Sequence, residues 1–211
     1  MADKFQSLRQ LRRSLEEGRD FRITCIDRRS QITVLAPHGG YIEPGTSAIA
    51  RGIAGDDFNL YDFQGLVREK PYELHVTSTR FRDPALTRLI KKSRLTLSVH
   101  GMGKMDRWSV WLGGLDCSTR SLVMNALSLK GFRINPNPPK YKGEHRQNVV
   151  NLNGRGGVQL ELPEDLIDSF FSDAVPFAGP ATALKRNSRF VEFTGAVRQG
   201  LLEALPERLH A

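Results

Sequence analysis

Segments with β-strand character alternate with segments of helical periodicity, and this alternation constrains the fold more than any other feature of the chain. The strand-like segments are FRITCI (21–26), QITVLAP (31–37), ELHVTS (73–78), LTLSVHG (95–101), RWSVWLGG (107–114), GFRI (131–134) and GVQLEL (157–162). Helices are predicted at 46–54, 83–93, 118–130, 163–171 and 188–204. Strands that alternate with helices favour an α/β layered fold around a mixed, mostly parallel sheet.

The helix ends carry local signals. Apolar residues recur at helical spacing near the N-terminus at Phe5, Leu8, Leu11 and Leu15. Since Gly18 can end such a segment, a helix is predicted within residues 1–18. Capping side chains are expected at Thr46 or Ser47 and at Asp83, which precedes Pro84. With no internal repeat and no long linker, residues 1–211 are predicted to form one domain.

Composition limits the environment and the partners. The formal net charge is +8, and a basic surface attracts polyanions such as nucleic acid or anionic polymers. No apolar run approaches the ~20 residues of a membrane helix. The N-terminal segment is charged and unlike a secretory signal, so a cytoplasmic protein is expected. Cys25 and Cys117 lie beside apolar residues and are expected to be buried, reduced thiols.

Four polar side chains lie at or near the ends of predicted strands or inside one of them. His38 follows the strand 31–37, and Glu43 stands on the glycine-rich loop after it. His100 ends the strand 95–101, and Glu161 lies among apolar residues in the strand 157–162. Two histidines and a glutamate form a donor set of catalytic zinc sites, which leave a fourth position for water. A further glutamate can act there as general base.

Each of these residues also has a purely structural interpretation. His100 could be a hydrogen-bonded histidine, Glu161 a salt-bridge partner and Glu43 a solvated turn residue. His75 is expected to pack in the core. Other catalytic patterns are absent, because the sequence has no GxSxG elbow, no GxxxxGK[ST] phosphate loop and no HExxH helix.

The motifs HGGYIEPGTSAIA, ELHVTSTRFRDP, LSVHGM and GVQLELP occur in this order, and the sequence resembles the phage-related poly-γ-glutamate hydrolase family, which has also been labelled a phage-related replication protein family. The resemblance covers about residues 20–205. It departs at Ala48 and Arg82, where the family often has acidic residues. It implies a three-layer α/β/α fold like that of zinc carboxypeptidases, and one zinc ion used to cut γ-glutamyl bonds.

Carried over residue by residue, the resemblance implies that His38, Glu43 and His100 bind the zinc and that Glu161 is the general base. The transition state would also need a positive group beside the developing oxyanion, and Arg155 and Arg80 are the candidates. Two alternatives stay open: a zinc amidase or deacylase with another substrate, and a basic nucleic-acid-binding module without catalysis.

Overall fold

The computed structural model describes residues 3–172 and 184–209. Its strands are β1 (Phe21–Ile26), β2 (Ile32–Gly40), β3 (Asn59–Gly65), β4 (Leu95–Gly101), β5 (Ser109–Gly113), β6 (Arg133–Asn135) and β7 (Val158–Leu162). Its α-helices are α1 (Leu8–Ser14), α2 (Thr46–Ala54), α3 (Pro84–Lys92), α4 (Cys117–Leu129), α5 (Glu164–Asp168) and α6 (Ser188–Leu209). Two short 3₁₀ helices, Pro71–Leu74 and Val149–Asn151, lie in connecting segments.

The seven strands form one mixed sheet in the order β1-β3-β2-β4-β7-β5-β6. The four central strands β3, β2, β4 and β7 run parallel to one another. At one side β1 is antiparallel to β3, and at the other β5 is antiparallel to β7 and parallel to β6. This topology confirms the predicted mixed, mostly parallel sheet.

A hydrophobic core covers each face of the sheet. Helices α2, α4 and α6 pack on one face, where they bury residues such as Ile49, Val123 and Phe193. Helices α1 and α3 pack on the other face, against residues such as Leu35 and Phe63. Successive side chains of a strand point to opposite faces, so β2 and β3 contribute to both cores, whereas the apolar side chains of β4 and β7 belong to the first core. The three-layer α/β/α arrangement follows.

One predicted strand is wrong. Residues 73–78 pair with no strand: the first two belong to a 3₁₀ helix, and the rest have neither helix nor strand structure. Side chains form hydrogen bonds with the backbone groups that would otherwise pair with a neighbouring strand. The carbonyl oxygen of Val76 faces His38 Nε2 at 2.9 Å, and the amide of Thr77 donates to Asp3 Oδ2 at 2.8 Å.

One central strand was not predicted. β3, with the sequence NLYDFQG, is buried along its whole length although it contains Asn59, Asp62 and Gln64. The Asp62 carboxylate accepts hydrogen bonds from Ser47 Oγ at 2.8 Å and Arg51 Nε at 3.1 Å. Because these partners come from α2, the local sequence gives no sign that the carboxylate can be buried.

Helix ends agree with the sequence in part. Asp83 caps α3 by accepting from the amides of Ala85 and Leu86, as predicted. The N-terminal helix is shorter than predicted, with Ser7 as its cap, and residues 1–2 lie outside the described part of the chain. The predicted cap of α2 is wrong, because Gly45 with φ 87° occupies that position without a side-chain hydrogen bond.

The prediction for the cysteines was half right. Cys25 and Cys117 are both free thiols, but both are exposed rather than buried. Cys25 lies on β1, the first strand of the sheet, and Cys117 begins α4. Among the helices of residues 3–172 and 184–209, none combines the length and the apolar character that crossing a membrane requires.

Candidate active site

The site lies at the carboxyl ends of β2, β4 and β7. At this point of the sheet the connections from neighbouring strands lead to opposite sides. After β2 the chain continues to β3 on one side, whereas β4 has β7 on its other side. Such a switch point leaves a crevice beyond the strand ends. His38 enters it from β2 and His100 from β4, and both are buried, with 2% and 3% of their surface exposed.

The loop after His38 turns the chain back toward that residue. The amide of Glu43 donates to the carbonyl oxygen of His38 at 2.9 Å. Gly40 has φ 68°, and a Cβ there would lie 2.2 Å from the carbonyl oxygen of Gly65. Only glycine fits both the left-handed backbone and this close approach to β3. The loop thereby returns the Glu43 carboxylate to His38.

Donor atoms of three side chains converge in the crevice. His38 Nδ1 lies 2.9 Å from Glu43 Oε1 and 3.2 Å from His100 Nδ1, and His100 Nδ1 lies 3.5 Å from Glu43 Oε2. Tetrahedral zinc with bonds of ~2.0–2.1 Å has ligand atoms about 3.3–3.4 Å apart. The three side chains therefore fit the spacing of a zinc donor set.

Hydrogen bonds on the outer side orient two of these side chains, His38 and Glu43. The carbonyl of Val76 can only accept, so His38 Nε2 carries the proton it donates at 2.9 Å, and Nδ1 presents a lone pair to Glu43 and His100. Glu43 Oε2 accepts from the amide of Gly101 at 2.9 Å. Lone pairs that face one another repel unless a proton or a cation lies between them. The arrangement therefore favours a cation among the three side chains.

Glu161 stands directly beside His100, because the two residues are partners in the β4–β7 register. It is 6% exposed. Its Oε1 accepts from Gln159 Nε2 at 2.8 Å, and Gln159 Oε1 in turn accepts from Asn148 Nδ2 at 2.9 Å. Burial raises the pKa of Glu161 to about 8, which the nearby Glu43 charge reinforces and the charge of His100 opposes.

For Glu43 and His100, the neighbouring charges outweigh the effect of burial on the pKa. In the metal-free site, where protons take the place of the cation, burial alone would raise the pKa of Glu43, but the charge of His38 and the hydrogen bonds from His100 and His38 bring it well below its ordinary value. Burial alone would lower the pKa of His100, but the charges of Glu161 and Glu43 raise it. Buried groups that push each other's pKa values apart are typical of catalytic sites.

His75, which was expected to pack in the core, lies at the site. Its ring centroid is 4.1 Å from that of His38, and its Nδ1 lies 2.7 Å from Asp3 Oδ1. Donor atoms of His38, Glu43 and His75 lie within 4.8 Å of one another, so His75 is a further potential ligand. Neither His75 nor Asp3 could be placed from the sequence, because the segments that carry them form no strand. The single signal was a histidine inside ELHVTS.

The two predicted arginines lie differently with respect to the crevice. Arg155 is exposed in the loop before β7, at the opposite end of that strand from Glu161, and does not line the crevice. Arg80 is exposed next to the lining residues Thr77–Thr79, where it donates to Gln6. A role beside the oxyanion stays a prediction for both, and the positions favour Arg80.

The crevice is a cavity of about 530 Å³ that opens to solvent. Its ionisable lining residues are Asp3, His38, Glu43, His75, His100, Tyr141, Glu144, His145 and Glu161. Neither lysine nor arginine contributes to the lining among the residues that the structure describes. A cation would therefore meet four carboxylates and four imidazoles in one depression.

Comparison with known proteins identifies the family of the chain. A family model for poly-gamma-glutamate hydrolase matches residues 5–196. The prophage-derived protein YoqZ of Bacillus subtilis is 33% identical over 164 residues, which are 76% of this chain and 59% of YoqZ. The chain thus spans about three fifths of that relative. YndL of the same organism is 30% identical over 196 residues, which are 91% of this chain and 75% of YndL.

Two solved structures share the fold over nearly the whole chain. A bacteriophage poly-gamma-glutamate hydrolase superimposes with a TM-score of 0.90 at 24% identity, covering 98% of this chain and all of the other. The zinc-free apo form of YndL superimposes with a TM-score of 0.86 at 27% identity, covering 97% of this chain and all of the other. With the family model matching most of its length, the chain belongs to the poly-gamma-glutamate hydrolase family.

Proposed function

We propose that the protein is a zinc-dependent peptidase that hydrolyses γ-glutamyl amide bonds in an anionic polypeptide. The observation that carries this proposal is the convergence of His38 Nδ1, His100 Nδ1 and the Glu43 carboxylate at zinc-ligand spacing, with Glu161 beside them. Family membership supplies the bond type, and the zinc-free state of the YndL structure supports the identity of the metal.

His38, Glu43 and His100 would hold the ion. When bound, zinc supplies a Lewis acid that activates water and polarises the amide carbonyl, and its charge favours the carboxylate form of Glu161. His38 keeps its lone pair directed inward because Nε2 donates to Val76. Glu43 keeps its orientation through the amide of Gly101.

Glu161 moves the proton. Gln159 holds its Oε1, and within the described chain no hydrogen bond is formed by Oε2, which can therefore accept a proton from the attacking water. The protonated carboxyl can then donate to the leaving amine nitrogen. The buried position of Glu161 lowers the local dielectric constant, which strengthens its electrostatic contacts.

The test is cleavage of purified poly-γ-glutamate by the zinc-loaded protein, followed as a loss of polymer length. Glu161→Gln is expected to lower kcat about 10²–10⁴-fold while zinc content stays unchanged. Glu203→Gln, on the exposed face of α6, is the matched control and should cleave as the unaltered protein does. A Glu161→Gln protein with full activity, or no cleavage by the zinc-loaded wild type, would contradict the proposal.

A further inference from the structure

A second depression, lined mainly by arginine, lies between α1 and the N-terminal half of α3. Its volume is about 740 Å³. Its lining residues are Arg9, Arg12, Arg13, Arg82, Asp83, Pro84, Thr87 and Arg88. We call it the arginine cleft. Five arginine side chains and one aspartate thus line a single cleft, which leaves a local charge of about +4 from these side chains.

The one carboxylate is already used inside the protein. Asp83 is buried, caps α3 through the amides of Ala85 and Leu86, and accepts from Arg12 Nη1 at 3.0 Å. Arg12 also lies 3.8 Å from Glu17. For Arg9, Arg13 and Arg88 no carboxylate lies within ion-pair distance among the residues that the structure describes. These three guanidinium groups are free to bind an external anion.

Arg82 is the most constrained member of the cleft. It is half-buried, and among the described residues its guanidinium donates to two carbonyl oxygens, those of Phe81 at 3.0 Å and Gln147 at 2.7 Å. A partly desolvated cation without a carboxylate partner is unfavourable. Arg9 and Arg13 are also four residues apart on α1, a spacing at which like charges repel. An anionic ligand would neutralise Arg82 and reduce the repulsion between Arg9 and Arg13.

The arginine cleft adjoins the active-site crevice. Thr79 lines the crevice, and Arg82 lines the cleft three residues later. A chain of three residues spans at most about 11 Å. In the N-terminal segment Asp3 lines the crevice and Arg9 lines the cleft. Two chain segments therefore run from one depression to the other.

The two depressions have opposite charge. The crevice holds four carboxylates and neither lysine nor arginine among its described lining residues, so its side chains alone do not attract a polyanion. A polymer of γ-linked glutamate carries one free carboxylate on each residue, and a guanidinium binds a carboxylate through two parallel hydrogen bonds. A chain that crosses the crevice at one bond would need its remaining carboxylates neutralised elsewhere.

We infer that the arginine cleft is a binding site for the carboxylates of the polymer beyond the bond that is cut. This inference rests on the proposed function for its ligand. The cleft would hold the polymer through several guanidinium–carboxylate contacts and so favour long chains over short ones. It would affect binding of the substrate and leave the chemical step to the crevice.

The test uses the triple variant Arg9→Gln, Arg13→Gln, Arg88→Gln in the Glu161→Gln protein, so that binding is measured without turnover. The matched control is Arg22→Gln, Lys130→Gln, Arg133→Gln, which removes the same charge from exposed positions outside both depressions. Calorimetric titration with poly-γ-glutamate should show about tenfold weaker binding for the cleft variant and a reduced dependence on salt. The control variant should bind within about twofold of its parent.

With Glu161 intact, the same cleft variant should show a raised KM on long polymer, an unchanged kcat, and unchanged kcat/KM on a short γ-glutamyl oligomer. Equal binding by the cleft and control variants would overturn the inference, even where the wild type cleaves the polymer. Tighter binding of oligothymidylate than of poly-γ-glutamate of equal charge would also overturn it, since the cleft would then be a nucleic-acid site. If the wild type cleaves nothing, the proposed function fails, and the binding comparison still decides the cleft.

Discussion

At the scale of single residues, the site depends on side chains of which three are held in place by a neighbouring hydrogen-bond partner. Val76 fixes the tautomer of His38, Gly101 orients Glu43, and Gln159 holds Glu161. His38, His100 and Glu161 could be proposed from the sequence because each ends or interrupts an apolar strand, and Glu43 because it stands on the glycine-rich loop after His38. The partners of His38 and Glu43 could not, since a backbone carbonyl or amide leaves no mark in a sequence.

The stability of the metal-free protein should depend on pH through Glu161. The pKa of this carboxyl rises from 4.5 to about 8 on folding, so the folded state binds the proton more tightly. The resulting stabilisation is complete below the unfolded pKa and is lost as pH rises through 8. Relative to Glu161→Gln, the free energy of unfolding of the wild type should fall by up to ~1.4 kcal/mol per pH unit between pH 5 and 8.

Urea denaturation of both metal-free proteins at several pH values measures this difference. In the difference between the two proteins, the contributions of the other titrating groups to the free energy of unfolding cancel to first order. Parallel curves for the two proteins across this range would show that the Glu161 carboxyl is not perturbed by burial.

At the scale of elements, the loop between β2 and α2 couples the sheet to the site. Gly40 approaches Gly65 on β3 with φ 68°, and its amide donates to Ser47 Oγ at 3.0 Å. Gly40→Ala should lower the free energy of unfolding by about 1–3 kcal/mol and weaken zinc binding, because the loop that carries Glu43 must move.

Gly195→Ala is the matched control for this loop. Gly195 lies in α6 with nothing within 4 Å of an added Cβ, so alanine should stabilise the helix by about 0.5–1 kcal/mol. Thermal or urea denaturation measures both changes. A Gly40→Ala protein as stable as the wild type would show that the loop does not require glycine.

The buried carboxylate of β3 should contribute as much to the free energy of unfolding as an apolar core side chain. Asp62 is fully buried and joins α2 to the sheet through Ser47 and Arg51. Asp62→Ala should destabilise the protein by about 2–4 kcal/mol, since it leaves those partners unpaired. Asp57→Ala removes an exposed ion pair with Arg198 and should change stability by less than about 1 kcal/mol. Similar urea midpoints for the two variants would contradict this difference.

The elements that sequence reasoning missed share one cause. β3 appears too polar for a central strand because its carboxylate is satisfied by a helix from another part of the chain. The segment 73–78 appears to be a strand because of its composition, yet its backbone pairs with side chains from Asp3 and His38. Apolar strands such as β4, and the Asp-Pro start of α3, could be predicted because their signals are local.

At the scale of the whole molecule, charge is divided between two neighbouring depressions. The net charge of +8 predicted an attraction for polyanions, and sequence alone could not show that the crevice itself is lined by carboxylates while five arginines gather next to it. The arginines come from α1 and the start of α3, which only the fold brings together. That residues 1–211 form a single domain stays a prediction.

The central claim is that His38, Glu43 and His100 hold one zinc ion, and elemental analysis of the purified protein tests it most directly. The wild type, loaded with zinc and freed of excess metal, should contain about one zinc per chain, and His38→Ala and His100→Ala should contain almost none while retaining the circular dichroism of the wild type. His145→Ala, an exposed residue on the rim of the crevice, should keep its zinc. A wild type that binds no zinc, or folded His38→Ala and His100→Ala proteins that retain it fully, would contradict the account.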